Sequence, residues 1–174
     1  MEYNLLLQSL QAWDEKHTQY LQEICRQNSK HSEFVNHIID IFCKENQLQH
    51  PTSWIIKYFV DSRQPIQQKQ INRILQQLDT LEHWGSQLHI LQIVPKVHLT
   101  KVVAKNIQTT VKKHMHSEKK FVKAAAYQAY YEIVQLQPQL KEEFLEICNE
   151  AVVRESASVQ SKIKKIIAYL KISL

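Results

Sequence analysis

Apolar and polar residues alternate along this chain at intervals of three and four, and nowhere at a sustained interval of two. The clearest stripe is Val122, Ala126, Ala129 and Ile133, flanked by Ala125 and Tyr130. Its members recur at i, i+4, i+7 and i+11, so they share one face of a helix. The pattern predicts a helix over 118–136, with Ser117 placed to cap its free N–H groups. Pro138 opens the next helix, where a missing N–H costs nothing, and Leu140, Phe144, Ile147, Cys148 and Ala151 form its apolar face. Beyond Glu155-Ser156-Ala157-Ser158, the stripe Val159, Ile163, Ile166, Ile167 and Leu170 predicts the last helix.

Upstream, Thr100 is placed to cap a helix over 101–115 that carries Val103, Ile107 and Val111. Trp84, Leu88, Leu91 and Val94 predict a short helix stopping at Pro95. A further pair is predicted over 52–61, with Trp54, Tyr58 and Phe59, and over 65–79, with Ile71, Leu75 and Leu78. Pro51 and Pro65 fall in the first turns of these two. The first fifty residues predict helices near 3–13, 16–27 and 32–45, the third capped by Ser32.

Composition agrees with an all-α chain. The sequence holds one glycine, Gly85, among 174 residues. Tight hairpin turns and phosphate-cradling loops rely on glycine because it takes positive φ without steric cost. One glycine supplies neither a set of β-hairpins nor a glycine-rich nucleotide loop. A hydrophobic fraction of 44% is ample for a core, and the length fits a single domain, 1–174, better than two. Within it, 1–50 reads as an N-terminal cap and 51–174 as helical-hairpin repeats.

No apolar run reaches the ~20 residues of a membrane span, and Met1-Glu2-Tyr3-Asn4 lacks the basic start of a signal peptide. The three cysteines, Cys25, Cys43 and Cys148, are odd in number and far apart. Cys25 and Cys148 sit among apolar residues, which suits buried thiols. A cytoplasmic protein is the expectation.

Trp54, Trp84 and Phe121 each stand near the start of a predicted helix pair, separated by 30 and 37 residues. Two-helix units of that length are the mark of an α-solenoid. The run Phe121-Val122-Lys123-Ala124-Ala125-Ala126-Tyr127, then Pro138 and a second amphipathic helix, then Ser156-Ala157-Ser158-Val159 resembles a HEAT repeat. Val122-Lys123-Ala124-Ala125 matches the family's small-residue opening, with Lys123 where the family carries arginine. The resemblance is carried by residues 118–165. It implies stacked antiparallel helical hairpins, a HEAT-like α-solenoid; an irregular helical bundle is the alternative.

Candidate chemistry is sparse. His114 and His116 lie two apart, so a helix turns them roughly 200° from each other, with no cysteine or carboxylate at ligand spacing. His83 and His89 flank Trp84 and read as packing or surface residues. Glu143, Glu146 and Glu150 share one face opposite an apolar stripe and read as solvated. No nucleophile–base spacing can be argued, and Gly-x-Ser-x-Gly is excluded by the glycine count. The expectation is a non-catalytic protein with no cofactor, no metal and no evident small-molecule substrate.

Charge is the more informative feature. The net +5 is unevenly placed: residues 1–87 hold 8 Lys/Arg against 10 Asp/Glu, residues 88–174 hold 14 against 7. Lys101, Lys105 and Lys112 line one helical face, Lys113, Lys119, Lys120 and Lys123 continue the charge, and Lys162 and Lys165 align later. Such arrays bind backbone phosphates. Arginine, however, is the better residue for bidentate phosphate contacts, and the Glu143–Glu150 row interrupts the stripe if neighbouring polar faces align. A protein–protein interaction or scaffold module of HEAT-like type is therefore the first expectation, with another protein as partner. The alternative is a nucleic-acid-binding helical-repeat protein. Helical-repeat DNA glycosylases share the implied architecture and hold a flipped base with aromatics and a carboxylate, for which Trp54, Trp84, Asp61 and Asp79 are the raw material here.

Overall fold

The computed structural model describes residues 3–28, 31 and 33–172. Among these it is all-α, with no strand. The helices are α1 (Tyr3–Gln11), α2 (Thr18–Asn28), α3 (Phe34–Lys44), α4 (Gln49–Asp61), α5 (Gln68–Gln76), α6 (Trp84–Ile93), α7 (Lys101–His114), α8 (Lys120–Leu136), α9 (Lys141–Ala151) and α10 (Ala157–Ile172). Short 3-10 turns precede α4 and α9 and follow α5 and α6. None of these helices is long and apolar enough to cross a membrane. The chain divides into two compact units, Met1–Ile93 and Val94–Leu174. The charge asymmetry follows this division, since residues 88–93 carry no charged side chain.

In the second unit the sequence stripes are the core. Val103, Ile107 and Val111 of α7, Val122, Ala126, Ala129 and Ile133 of α8, and Val159, Ile163, Ile166 and Leu170 of α10 are all buried. Thr100 caps α7 as expected, its Oγ1 accepting from the Val103 N–H at 3.3 Å. Ser117 does not cap α8: it accepts from the Lys119 N–H, and the helix starts at Lys120. Pro138 opens a 3-10 turn that runs into α9. In α9 only Phe144 and Cys148 are fully buried.

In the first unit α4 is the centre, packed against α3 and α6. Ile55, Ile56, Phe59, Ile38, Ile39, Phe42, Ile90 and Leu91 fill the space between them. Pro65 lies outside α5, whose first turn is closed instead by Gln70 Oε1 accepting from the Gln67 N–H. Ser32, expected to cap α3, lies outside the described residues.

Helix α4 packs against both α3 and α6, and α8 against both α7 and α10. Trp54, Trp84 and Phe121 belong to α4, α6 and α8. Of the three tryptophans, Trp13 is buried. Trp54 is half-buried against Tyr58, Trp84 is 43% exposed and Phe121 56% exposed. Each stands early in its helix, where Trp84 lies on His83 and Phe121 under the Lys120 ammonium rather than in the core.

Within each unit, helices are also tied to the next but one. Arg73 of α5 binds Asp40 of α3, 33 residues away, and His89 of α6 meets Ser53 of α4, 36 residues away. Lys112 of α7 binds Glu143 of α9 across 31 residues. Lys162 of α10 reaches Gln128 of α8 across 34.

Candidate functional site

The second unit contains a groove of about 430 Å³ bordered by α7, α8, α9 and the turn after α9. Met115, Ile147 and Ala151 give it an apolar floor. Its walls carry the cations of Lys112 and Arg154, the carboxylates of Glu143, Glu150 and Glu155, and the His116 side chain. Lys112 Nζ lies 2.5 Å from Glu143 Oε1, and this hydrogen bond raises the lysine's pKa. Glu155 receives Lys123 Nζ on both oxygens, at 2.8 and 2.9 Å. Tyr127, buried at the base of the groove, is pushed up to about 12, chiefly by burial and then by Cys148 and Glu155.

The helical period explains this assembly. Glu143 and Glu150 occupy one face of α9, as their spacing requires. The contact of α9 with α7 turns that face toward Lys112 rather than wholly toward water. The polar faces of α7 and α9 therefore meet, and the acidic row does interrupt the lysine stripe.

The nine lysines of the basic set fall into two groups. Lys112 and Lys123 are held by carboxylates, and Lys162 donates to Gln128 Oε1 at 3.3 Å. Lys101, Lys105, Lys113, Lys119, Lys120 and Lys165 are exposed, and none of the six pairs with a carboxylate among the described residues. The Lys120 ammonium lies 5.2 Å from the Phe121 ring centroid. No family model, curated protein or solved structure matches this chain.

Tyr127, Arg154 and Glu155 were not legible as site residues in the sequence. Their one signal was the hydrophilic break 152–156 between two apolar stripes, which marks a turn but not what faces it. Of the aromatics and acids that a base-flipping site would use, Asp61 is bound to Lys57 at the end of α4, and Trp54 is stacked on Tyr58 at 5.5 Å. Trp84 stands at the first residue of α6 and Asp79 in the turn after α5. Among the described residues no three His, Cys, Asp or Glu side chains are grouped to hold a metal ion.

Proposed function

We propose that this protein is a non-catalytic binding module of stacked HEAT-like helical hairpins, and that the second unit's groove holds a segment of a partner polypeptide. The observation that carries this reading is the neutralisation of Lys112 and Lys123 by Glu143 and Glu155. A polyphosphate strand needs a run of free cations. This groove offers paired charges of both signs above an apolar floor, the composition suited to a polypeptide of mixed side chains. The next-but-one links support the stacked-hairpin form, because a stack ties each helix to its equivalent in the neighbouring hairpin.

A photoreactive residue at position 116 or 154, both on the groove, tests the reading. After incubation in cell extract it should cross-link to polypeptide, with no loss on nuclease treatment, and Glu150→Lys should reduce the yield several-fold. Cross-links that vanish with nuclease sink the proposal.

The six exposed lysines support a second reading, a phosphate-backbone contact on this unit. It predicts that DNA or RNA affinity falls at least tenfold between 50 and 200 mM salt, as several phosphate contacts would require. It also predicts that a Lys101/Lys105/Lys113 triple alanine variant abolishes binding. Absence of binding at the lower salt removes it.

A further inference from the structure

Tyr127 is the unusual member of the second unit's groove. It is 2% exposed, lines the groove, and packs its ring against Phe144 of α9 with centroids 6.5 Å apart. A buried tyrosine hydroxyl nearly always has a hydrogen-bond partner. Tyr130, three residues further along α8 and equally buried, has Gln108. Tyr127 has none among the described residues. Glu155, whose charge acts on the Tyr127 hydroxyl, accepts from Lys123 on both oxygens instead. The ring is therefore fixed in the core while its hydroxyl is left to whatever occupies the groove. Burial keeps the phenol protonated at neutral pH, so it can donate there.

The charges of the groove decide which acceptor suits that donor. Its lining holds the carboxylates of Glu143, Glu150 and Glu155 against the cations of Lys112 and Arg154. An anionic acceptor meets that excess of negative charge, and a cation has no lone pair to offer. A neutral acceptor remains, of which the amide carbonyl is the kind that every polypeptide carries at each residue.

Backbone conformation then matters. Inside a helix the carbonyls are already bonded to N–H groups four residues on. The last four of a helix are free, but they form the negative end of its dipole and meet the same carboxylates. An extended segment offers its carbonyls, and its side chains alternate between two sides. One side chain can then rest on Met115, Ile147 and Ala151 while the next points to solvent.

We propose that the groove holds its partner as an extended segment, one of whose main-chain carbonyls accepts a hydrogen bond from the Tyr127 hydroxyl. This deepens, and rests on, the polypeptide-binding reading above.

The probes are peptides selected from a phage-displayed random library on the full chain, keeping those that lose binding to Glu150→Lys. Affinities of the labelled peptides are measured by fluorescence anisotropy for the parent and for Tyr127→Phe. Phenylalanine keeps the contact with Phe144 and removes a hydroxyl without an internal partner, so the urea midpoint should not fall. Peptide affinity should drop about fivefold, the worth of one neutral hydrogen bond. Each peptide carbonyl is then replaced in turn by a thioamide, a poorer acceptor. One position should weaken binding to the parent and leave binding to Tyr127→Phe unchanged, and the carbon chemical shifts of the bound peptide should be those of extended backbone. Groove peptides that bind Tyr127→Phe as tightly as the parent, that show no such thioamide position, or that bind as a helix overturn this inference and leave the polypeptide-binding reading standing. Failure to select any peptide sensitive to Glu150→Lys overturns both.

Discussion

Lys123 of α8 and Glu155, in the turn before α10, form a bidentate ion pair with only about a fifth of each side chain exposed. Screening by water is weak there, and removing one partner leaves the other charge without compensation. Lys123→Ala should therefore cost about 2–3 kcal/mol. Lys123→Met combined with Glu155→Leu should recover most of that loss, because an apolar pair of similar volume carries no desolvation penalty. Urea midpoints of the three variants and the parent check this; a Lys123→Ala midpoint equal to the parent's refutes it.

Gly85 is the site of a close approach. A Cβ there would lie 2.7 Å from His50 Nε2 and 3.0 Å from His83 Cε1. On helix propensity alone, alanine in α6 would be favoured by about 1 kcal/mol. Contact with His50, which is itself fixed between Trp13 and His83, outweighs that gain, and Gly85→Ala should destabilise the first unit by about 1–2 kcal/mol. In a His50→Ala background the same change should become neutral or stabilising. A double-mutant cycle followed by thermal unfolding reads the difference, and equal effects in both backgrounds would show that no clash exists.

Acid should weaken the first unit before it weakens the second. Burial first, then His83, push His50 down to about 4; burial, His50, Lys57 and His83 push His89 down to about 3. Glu15 opposes the shift at His50. In the unfolded chain both titrate near 6.5. Between these values the unfolded state binds more protons, so stability is complete above about pH 6.5 and falls as pH drops toward the folded values. The loss should reach several kcal/mol by about pH 4, shared between two coupled rings. Trp13, Trp54 and Trp84 all lie in this unit, so tryptophan fluorescence follows it selectively. Denaturant midpoints at pH 7.5 and 4.5 should differ in the parent and converge in the His50→Gln/His89→Gln variant. Equal midpoints in the parent would refute the assignment.

The thiols should separate by reactivity. Burial pushes Cys25 and Cys148 up to about 12. Cys43, half-buried, is also raised by burial, with Arg73 opposing. Since the thiolate is the reactive form, a disulfide reagent at pH 8 should label at most Cys43 on the folded chain and all three after denaturation. Cys43→Ser should remove the native reaction; rapid labelling of all three without denaturant would contradict the burial.

Much of the fold is legible in single helices. The stripe from Val122 to Ile133 and the Thr100 cap depend on residues within one or two turns, and both are found where the pattern puts them. A stripe states which face is buried but not which neighbour buries it, because apolar burial has no direction. That α4 meets both α3 and α6 was beyond the stripes for that reason, and so was the exposure of Trp84. The lysine array was legible as a face of α7. That Lys112 is neutralised depends on Glu143, 31 residues on, and no local pattern contains it. His50 carried no signal of its own. The one trace of its surroundings was the single glycine, whose missing side chain leaves room for the His50 ring.

The links between helices two apart bear on how the chain is made. Asp40 meets Arg73 after 33 residues, Lys112 meets Glu143 after 31, and Gln128 meets Lys162 after 34. At roughly 5–20 residues per second of synthesis, a helix waits about two to seven seconds for the segment that covers it. Docking then closes a loop of modest and nearly constant length, whose entropy differs little from one link to the next. A nascent chain built this way exposes one unfinished apolar face at a time, and it moves forward along the chain as each new helix arrives.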